Sequence, residues 1–386
     1  MDFDLSDDQR LLKDSVDRLV ADKYGFEARK SYLAEPDGWS RAVWGQLAEL
    51  GLLGLPFEEQ YGGYGGGPVE TMLVMEAFGR GLVLEPYFAT VILCGGLLRT
   101  MGNAAQKMQN LTAIANGRRL LAFAHVERHS RYDFADVTTT AVRDGAGREG
   151  GGWRISGAKS VVLHGDCADR ILVTARVSGG QRDRDGIGLF LVDAASAGVT
   201  RRGYPTQDGM RGAEISFANV AGEAVGEPEA ALAGIEHAVD RAIAALCAEA
   251  VGVLSSMQEL TLDYLKTRKQ FGRAIGEFQA LQHRAVDMLI GVEQSRSMAL
   301  YATVMADEAN PIERKRAISA AKVQIGRAGR QVGQEAVQLH GGIGMTMEYK
   351  VGHYFKRMTM IDKLYGDADQ QLTILAKLGG LFGRAA

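Results

Sequence analysis

The chain has 386 residues, enough for two or three domains with separate cores, and its 46% hydrophobic and 24% charged residues are ordinary for a soluble globular protein. A formal charge of −3 argues against nucleic acid, whose recognition needs a basic patch or stripe. The three separated cysteines, Cys94, Cys167 and Cys247, suit neither a disulfide framework nor a zinc site and point to a reducing compartment. The opening MDFDLSDDQR is acidic and without an apolar core, so no signal peptide is expected. No apolar run approaches the roughly 18 residues of a membrane span, and a cytoplasmic protein is the expectation.

Residues 1–118 read as helical. Ser6 is placed to cap a first helix with acidic residues in its opening turn, and further helices are expected over 40–52, 69–81, 86–101 and 104–116. EEQYGGYGGG (58–67) reads as a flexible loop. Residues 119–228 change character: WRISGAKSVVL, DRILVTAR, GIGLFLVD and AEISFANV are short, β-branched and alternating, and RDGAGREGGG (143–152) reads as a hairpin-type loop. From 229 to 386 only Pro311 interrupts helical spacing, so long helices are expected over 235–308 and 312–340, with DEANP as the turn between them. The class is therefore α+β, in three domains at 1–118, 119–228 and 229–386, with a cleft where the strand domain meets the helices.

Two segments carry a resemblance to the acyl-CoA dehydrogenase family: YLKTRKQFGRAIGEFQALQHRAVDM (264–288) and QEAVQLHGGIGMTMEYKVGHYFKR (334–357). The resemblance implies an N-terminal helical domain, a central β-barrel-like domain and a C-terminal four-helix bundle. It also implies FAD and the α,β-desaturation of an acyl-CoA thioester. In that chemistry a base takes the α proton while the thioester oxygen is hydrogen-bonded as enolate character grows. Arg268 is similar to the family arginine that reaches the FAD pyrophosphate across a subunit interface, where forked donors suit phosphate oxygens. Phe271 and Gln279 follow at the family spacing. Gln338, Gly341 and Gly342 match the glycine-rich cofactor segment, where glycines allow close backbone approach. His340, inside that segment, is expected to be structural or cofactor-adjacent rather than a base. Asp240 falls where the family has an aspartate near the pantetheine arm, with a solvated helix residue as the alternative; Glu249 reads as a satisfied buried carboxylate.

The pattern breaks at the chemistry. In the C-terminal stretch LYGDAD, the family's tyrosine, glutamate, glycine and threonine become Leu364, Tyr365, Gly366 and Asp367. Tyr365 thus stands in the place of the base, and a phenol with a pKa near ~10 is a poor proton acceptor at neutral pH. The alternative family position for the base is Ala242, followed by Ile243. Val161 and Leu163 replace residues usually near the flavin. AHVERHSRYD (124–133) keeps Glu127 and Asp133 but puts Tyr132 where a small hydroxyl residue usually contacts substrate. Asp367 and Asp369 lack companion ligands for a metal; Asp367 is expected as a helix cap or a polar group near the cofactor, with a displaced base as the alternative.

Retained cofactor residues beside an altered catalytic face resemble the small subunits of two-chain acyl-CoA dehydrogenases, such as those acting on pimeloyl-CoA or steroid side chains. That resemblance implies a heterotetramer with a related catalytic chain, and an electron-transfer flavoprotein as acceptor. A self-sufficient homotetramer using Asp367, Asp240 or Glu249 as base is the alternative, and a non-catalytic acyl-CoA-binding or scaffold protein is a third reading. Loss of bulk at Val161 suits a roomier site for a branched, dicarboxylic or polycyclic acyl group.

Overall fold

A computed structural model describes residues 4–145 and 152–380. Its helices begin with α1 (Asp7–Lys23), α2 (Phe26–Leu33), α3 (Arg41–Glu49), α4 (Pro68–Gly81), α5 (Gly95–Met101) and α6 (Ala104–Ala115). Seven strands follow: β1 (Leu121–Ala124), β2 (Thr140–Arg143), β3 (Trp153–Leu163), β4 (Arg170–Arg176), β5 (Ile187–Asp193), β6 (Val199–Pro205) and β7 (Arg211–Ala224). The rest comprises α7 (Leu232–Thr267), a small hairpin of β8 (Lys269–Gln270) and β9 (Arg273–Ala274), then α8 (Gln279–Met305), α9 (Pro311–His340), α10 (Lys350–Lys363) and α11 (Ala368–Lys377). The chain forms two compact units, one from Met1–Ser31, Gly67–Val83 and Ile243–Ala386, the other from Tyr32–Gly66 and Leu84–Ala242.

In the helical unit, Ser6 caps α1 as its sequence predicts: the Gln9 amide donates to Ser6 Oγ at 3.2 Å and the Ser6 amide to Gln9 Oε1 at 3.0 Å. α1 packs on α4, and α4 meets α7 with backbones in contact. A Cβ at Gly79 would sit 2.0 Å from the Glu249 carbonyl oxygen, and one at Gly252 2.0 Å from that of Glu76. Small residues on α4 and α7 are therefore what permits the crossing. Asn310 caps α9, with Pro311 at its first position, and α8, α10 and α11 all pack against α9.

The second unit holds a strand barrel. β4 pairs with β2, β2 with β3, β3 with β7, β7 with β5, and β5 back to β4, which closes the ring; β1 adds to β4 and β6 to β7. Ile155, Val173, Phe190, Ile215 and Val220 fill its core, with the Trp153 and Phe190 rings 5.2 Å apart. The ring leaves few free edges, which answers the liability of unpaired strand amides.

Four expectations change. The helical spacing over 235–308 is broken at residues 268–278, where the β8–β9 hairpin separates α7 from α8. The expected helix over 86–101 is a wider-wound turn, Phe88–Cys94, running into α5. The 58–67 glycines serve packing. A Cβ at Gly63 would lie 2.1 Å from the Phe57 carbonyl oxygen, and the Gly65 and Gly66 amides donate to the Phe57 and Leu55 carbonyls. β4 and β5 are buried at nearly every position rather than on alternate ones. Their inner side chains join the barrel core, while Ala135, Val137 and Leu232 cover Ile187 from outside. Of the 143–152 loop, residues 146–151 lie outside the described residues; its flanks pair as a hairpin, Arg143 opposite Trp153. Among the described residues no helix is long and apolar enough to cross a membrane.

Candidate functional site

In the helical unit, the ends of α7 and α9 bring the two motif segments together. The Tyr264 ring, one turn before Arg268, stacks on His340 with centroids 4.6 Å apart, and Tyr349 closes on both at 6.5 and 5.0 Å. His340 is buried and its Nδ1 lies 2.7 Å from the Ala336 carbonyl oxygen. Burial lowers its pKa against the smaller raising effect of its backbone partners, so the ring is a neutral packing group. Beyond it, Gly341 adopts φ +63°, which favours glycine, and a Cβ at Gly341 or Gly342 would meet nothing within 4 Å. The backbone there is open to close approach.

Arg268 directly follows α7, and its carbonyl accepts from the Ile275 amide at 2.8 Å, closing the base of the β8–β9 hairpin. Phe271 and Gly272 form the two-residue tip, both at positive φ, as a tight hairpin turn requires. That geometry leaves Phe271 91% exposed, with Phe278 edge-on at 6.2 Å. Gln279 opens α8 and Gln338 lies in the last turn of α9; both are exposed, as is Arg268. Among the described residues, the side chains of Arg268, Gln279 and Gln338 have no hydrogen-bond or ion-pair partner. A forked cation, two amides and an open glycine backbone are a donor set that fits an anionic, phosphate-bearing cofactor.

The C-terminal stretch behaves differently. Asp367 caps α11, accepting from the Gln370 amide at 3.0 Å and from Lys363 Nζ at 2.8 Å. Asp369 is an exposed first-turn residue of α11. Tyr365, half-buried, has φ +58°. Glu249 is buried in a forked ion pair with Arg357, at 2.6 and 2.8 Å. Both carboxylates, Asp367 and Glu249, are therefore engaged with cations. The residue-level reading missed Arg357, Asp362 and Lys322, all buried. Lys322 donates to the Ile361 carbonyl, and burial, only partly offset by Cys247 and Asp362, brings its pKa down to about 8. Among the described residues no group of His, Cys, Asp and Glu is arranged to hold a metal.

The barrel unit holds the remaining candidates. Asp240 on α7 is 2% exposed, which rules out a solvated helix position. Ala242 is buried and apolar, as is Ile243, which belongs to the helical unit. Tyr132 is half-buried in the 126–139 loop. Val161 lies at a bulge in β3 with φ +51° and is 43% exposed, and half-buried Leu163 follows it. Glu127 anchors the loop: its carboxylate takes Lys159 Nζ at 2.7 Å and the Thr138 and Thr139 amides at 3.0 Å each. Asp133 accepts from the Ala135 amide at 2.9 Å. Lys159, fully buried on β3, was not read from the sequence; a lysine at an inward strand position is the signal.

Burial alone would raise Glu127, but the Lys159 ammonium and these hydrogen bonds bring it down to about 2. A carboxylate depressed from 4.5 contributes stability that is complete above its unfolded pKa and lost as pH falls towards 2. That contribution is on the order of 3 kcal/mol. Glu127→Gln is expected to destabilise at pH 6 and to flatten the loss of thermal midpoint between pH 5 and 2.5. A Glu127→Gln profile parallel to wild type over that range would contradict the assignment.

Models of the acyl-CoA dehydrogenase N-terminal, middle and C-terminal domains match residues 6–118, 122–220 and 235–379. The chain is 28% identical to the probable acyl-CoA dehydrogenase YngJ of Bacillus subtilis (strain 168), over 98% of this chain and 99% of that protein. Among solved structures, a variant of the Tcur3481–Tcur3483 steroid ACAD matches with TM-score 0.86 and 30% identity, over 96% of this chain and 97% of that one. The ChsE4–ChsE5 complex from Mycobacterium tuberculosis matches with TM-score 0.85 and 25% identity, over 98% of each chain.

Proposed function

Since the chain belongs to the acyl-CoA dehydrogenase family, we propose that it works in α,β-desaturation of an acyl-CoA thioester as the subunit completing the FAD site of a related catalytic chain. Its fold is the family's, an N-terminal helical domain, a middle β domain and a C-terminal helical domain, and we take their limits as 1–118, 119–228 and 229–386. The family makes it an oxidoreductase of CH–CH bonds with FAD as cofactor.

One contrast carries the subunit reading. Among the described residues the side-chain donors of Arg268, Gln279 and Gln338 stand exposed and without partners, whereas Asp367 and Glu249 are bound to cations. Bound FAD supplies the hydride acceptor. Arg268 would hold its pyrophosphate, with Gln338, Gly341 and Gly342 presenting amides and open backbone, and Phe271 and Gln279 flanking them. Tyr365 at the base position cannot take an α proton at neutral pH, so that role falls to a carboxylate of the partner. Asp240 and Tyr132 are the residues we assign to acyl-CoA contact. The steroid enzyme among the structural relatives, with Val161 in place of a bulky residue, supports a polycyclic or branched acyl group. An electron-transfer flavoprotein is the proposed acceptor and the cytoplasm the proposed location.

The test is turnover with a dye acceptor. The chain alone is expected to give none, and the chain co-expressed with a glutamate-bearing family member is expected to be active. In that assembly Asp367→Asn should leave kcat within about twofold and cost less than about 1 kcal/mol of stability, since asparagine caps as well as aspartate and the Lys363 ion pair is lost. Activity of the chain alone that Asp367→Asn abolishes would overturn the reading in favour of a displaced base.

A further inference from the structure

Arg268 stands just past the last residue of α7, where helices fray, and its exposed side chain has no partner of its own to hold it. Its place is set by the turn before it. The Arg268 amide donates to the Tyr264 carbonyl at 2.8 Å, and a Cβ at Gly276 would lie 2.9 Å from the Leu265 carbonyl oxygen, so the hairpin returns tightly against α7. The Tyr264 ring in turn stacks on His340 at 4.6 Å and 30°, and Tyr349 closes on His340 at 5.0 Å and 49°. His340 is 2% exposed, and its Nδ1 at 2.7 Å from the Ala336 carbonyl oxygen fixes the ring against its own helix. His340 immediately precedes the glycine turn Gly341–Met345, and Tyr349 follows it. One ring cluster therefore ties both ends of that turn to the last turn of α7. Ring pairs at these separations are favourable beyond the area they bury, so the cluster resists sliding of one helix end past the other.

We propose that Tyr264, His340 and Tyr349 are positioning residues for FAD, whose ring cluster sets Arg268 against the glycine turn so that guanidinium and open backbone serve one pyrophosphate. The inference rests on the reading of Arg268, Gly341 and Gly342 as cofactor donors and goes beyond it: the rings act through Arg268 and need no contact with the cofactor. Their own segment is already joined to Gly341 by the chain, so what the cluster adds is the placement of the arginine.

Flavin-free assembled enzyme is titrated with FAD at several salt concentrations, with binding followed by flavin fluorescence. His340→Ala and Tyr264→Leu should each raise the FAD dissociation constant about tenfold, whereas His340→Phe and Tyr264→Phe, which keep a ring, should stay within about twofold. Tyr264 is half-buried, so Tyr264→Leu carries the test if His340→Ala does not assemble. His340→Ala should also flatten the salt dependence of binding as Arg268→Ala does, because a displaced guanidinium no longer meets the phosphates. Adding His340→Ala to Arg268→Ala should cost no more than about a further twofold. Ile318→Ala, at a fully buried position about 33 Å away along α9, should lower the melting midpoint and leave FAD affinity unchanged. Losses from His340→Ala that add in full to those of Arg268→Ala, or wild-type affinity in both His340→Ala and Tyr264→Leu, would overturn the inference. Wild-type FAD affinity in Arg268→Ala would instead overturn the cofactor reading beneath it.

Discussion

Arg268→Ala is expected to strip FAD from the assembled enzyme, raising its dissociation constant by about two orders of magnitude. A guanidinium that forks onto phosphate oxygens contributes roughly 1.5–3 kcal/mol through charge-assisted hydrogen bonds. Arg268 follows a 36-residue helix and is exposed, so the substitution removes donors without opening a core. Stability of the flavin-free protein should therefore change by less than about 0.5 kcal/mol. Arg268→Lys should fall between, since an ammonium keeps the charge and loses the fork. The flavin-to-protein absorbance ratio after gel filtration reads the effect directly. A variant that keeps full flavin would remove Arg268 from the cofactor site.

Glu249→Leu is expected to be among the most destabilising single changes in the chain, at about 3–5 kcal/mol, because it strands the buried Arg357 guanidinium. The two side chains are 7% exposed or less, and they tie α7 to α10 where α4 already touches α7 backbone to backbone. Replacing both, as Glu249→Leu with Arg357→Met, should recover most of the loss, since an apolar pair of similar volume meets no desolvation cost. Thermal melts of the three variants decide it. A single variant no less stable than the double would show that the pair is not coupled.

How far the sequence reaches depends on whether a signal is local. Ser6 with Gln9, Asn310 before Pro311, and the apolar strands β3, β5 and β7 are short-range patterns, and the structure has them where the pattern puts them. β6 was missed because VTRRGYP is almost wholly exposed and has no apolar period; it is an edge strand on β7. β1 and β2 are four residues each, too short to show a period. The break after Arg268 escaped because apolar residues continue at helical spacing on both sides, and only Phe271 and Gly272 at positive φ turn the chain.

The site divides the same way. The two motif segments could be quoted from the sequence, but the Tyr264–His340 stack that joins them could not, because aromatic pairing between distant helices leaves no local mark. Lys159, Lys322, Arg357 and Asp362 were passed over for a related reason. A charged residue reads as solvated unless its partner is known, and each of these finds its partner on another element or in a turn.

The most direct measurement is the FAD-to-protein ratio and native mass of this chain expressed alone, against the same chain co-expressed with a related catalytic subunit. The account predicts little flavin on the chain alone, and flavin recovered in a mixed assembly whose base is the partner's carboxylate. About one FAD per chain in an active homotetramer would contradict it and move the search for the base back to Asp367, Asp240 and Glu249.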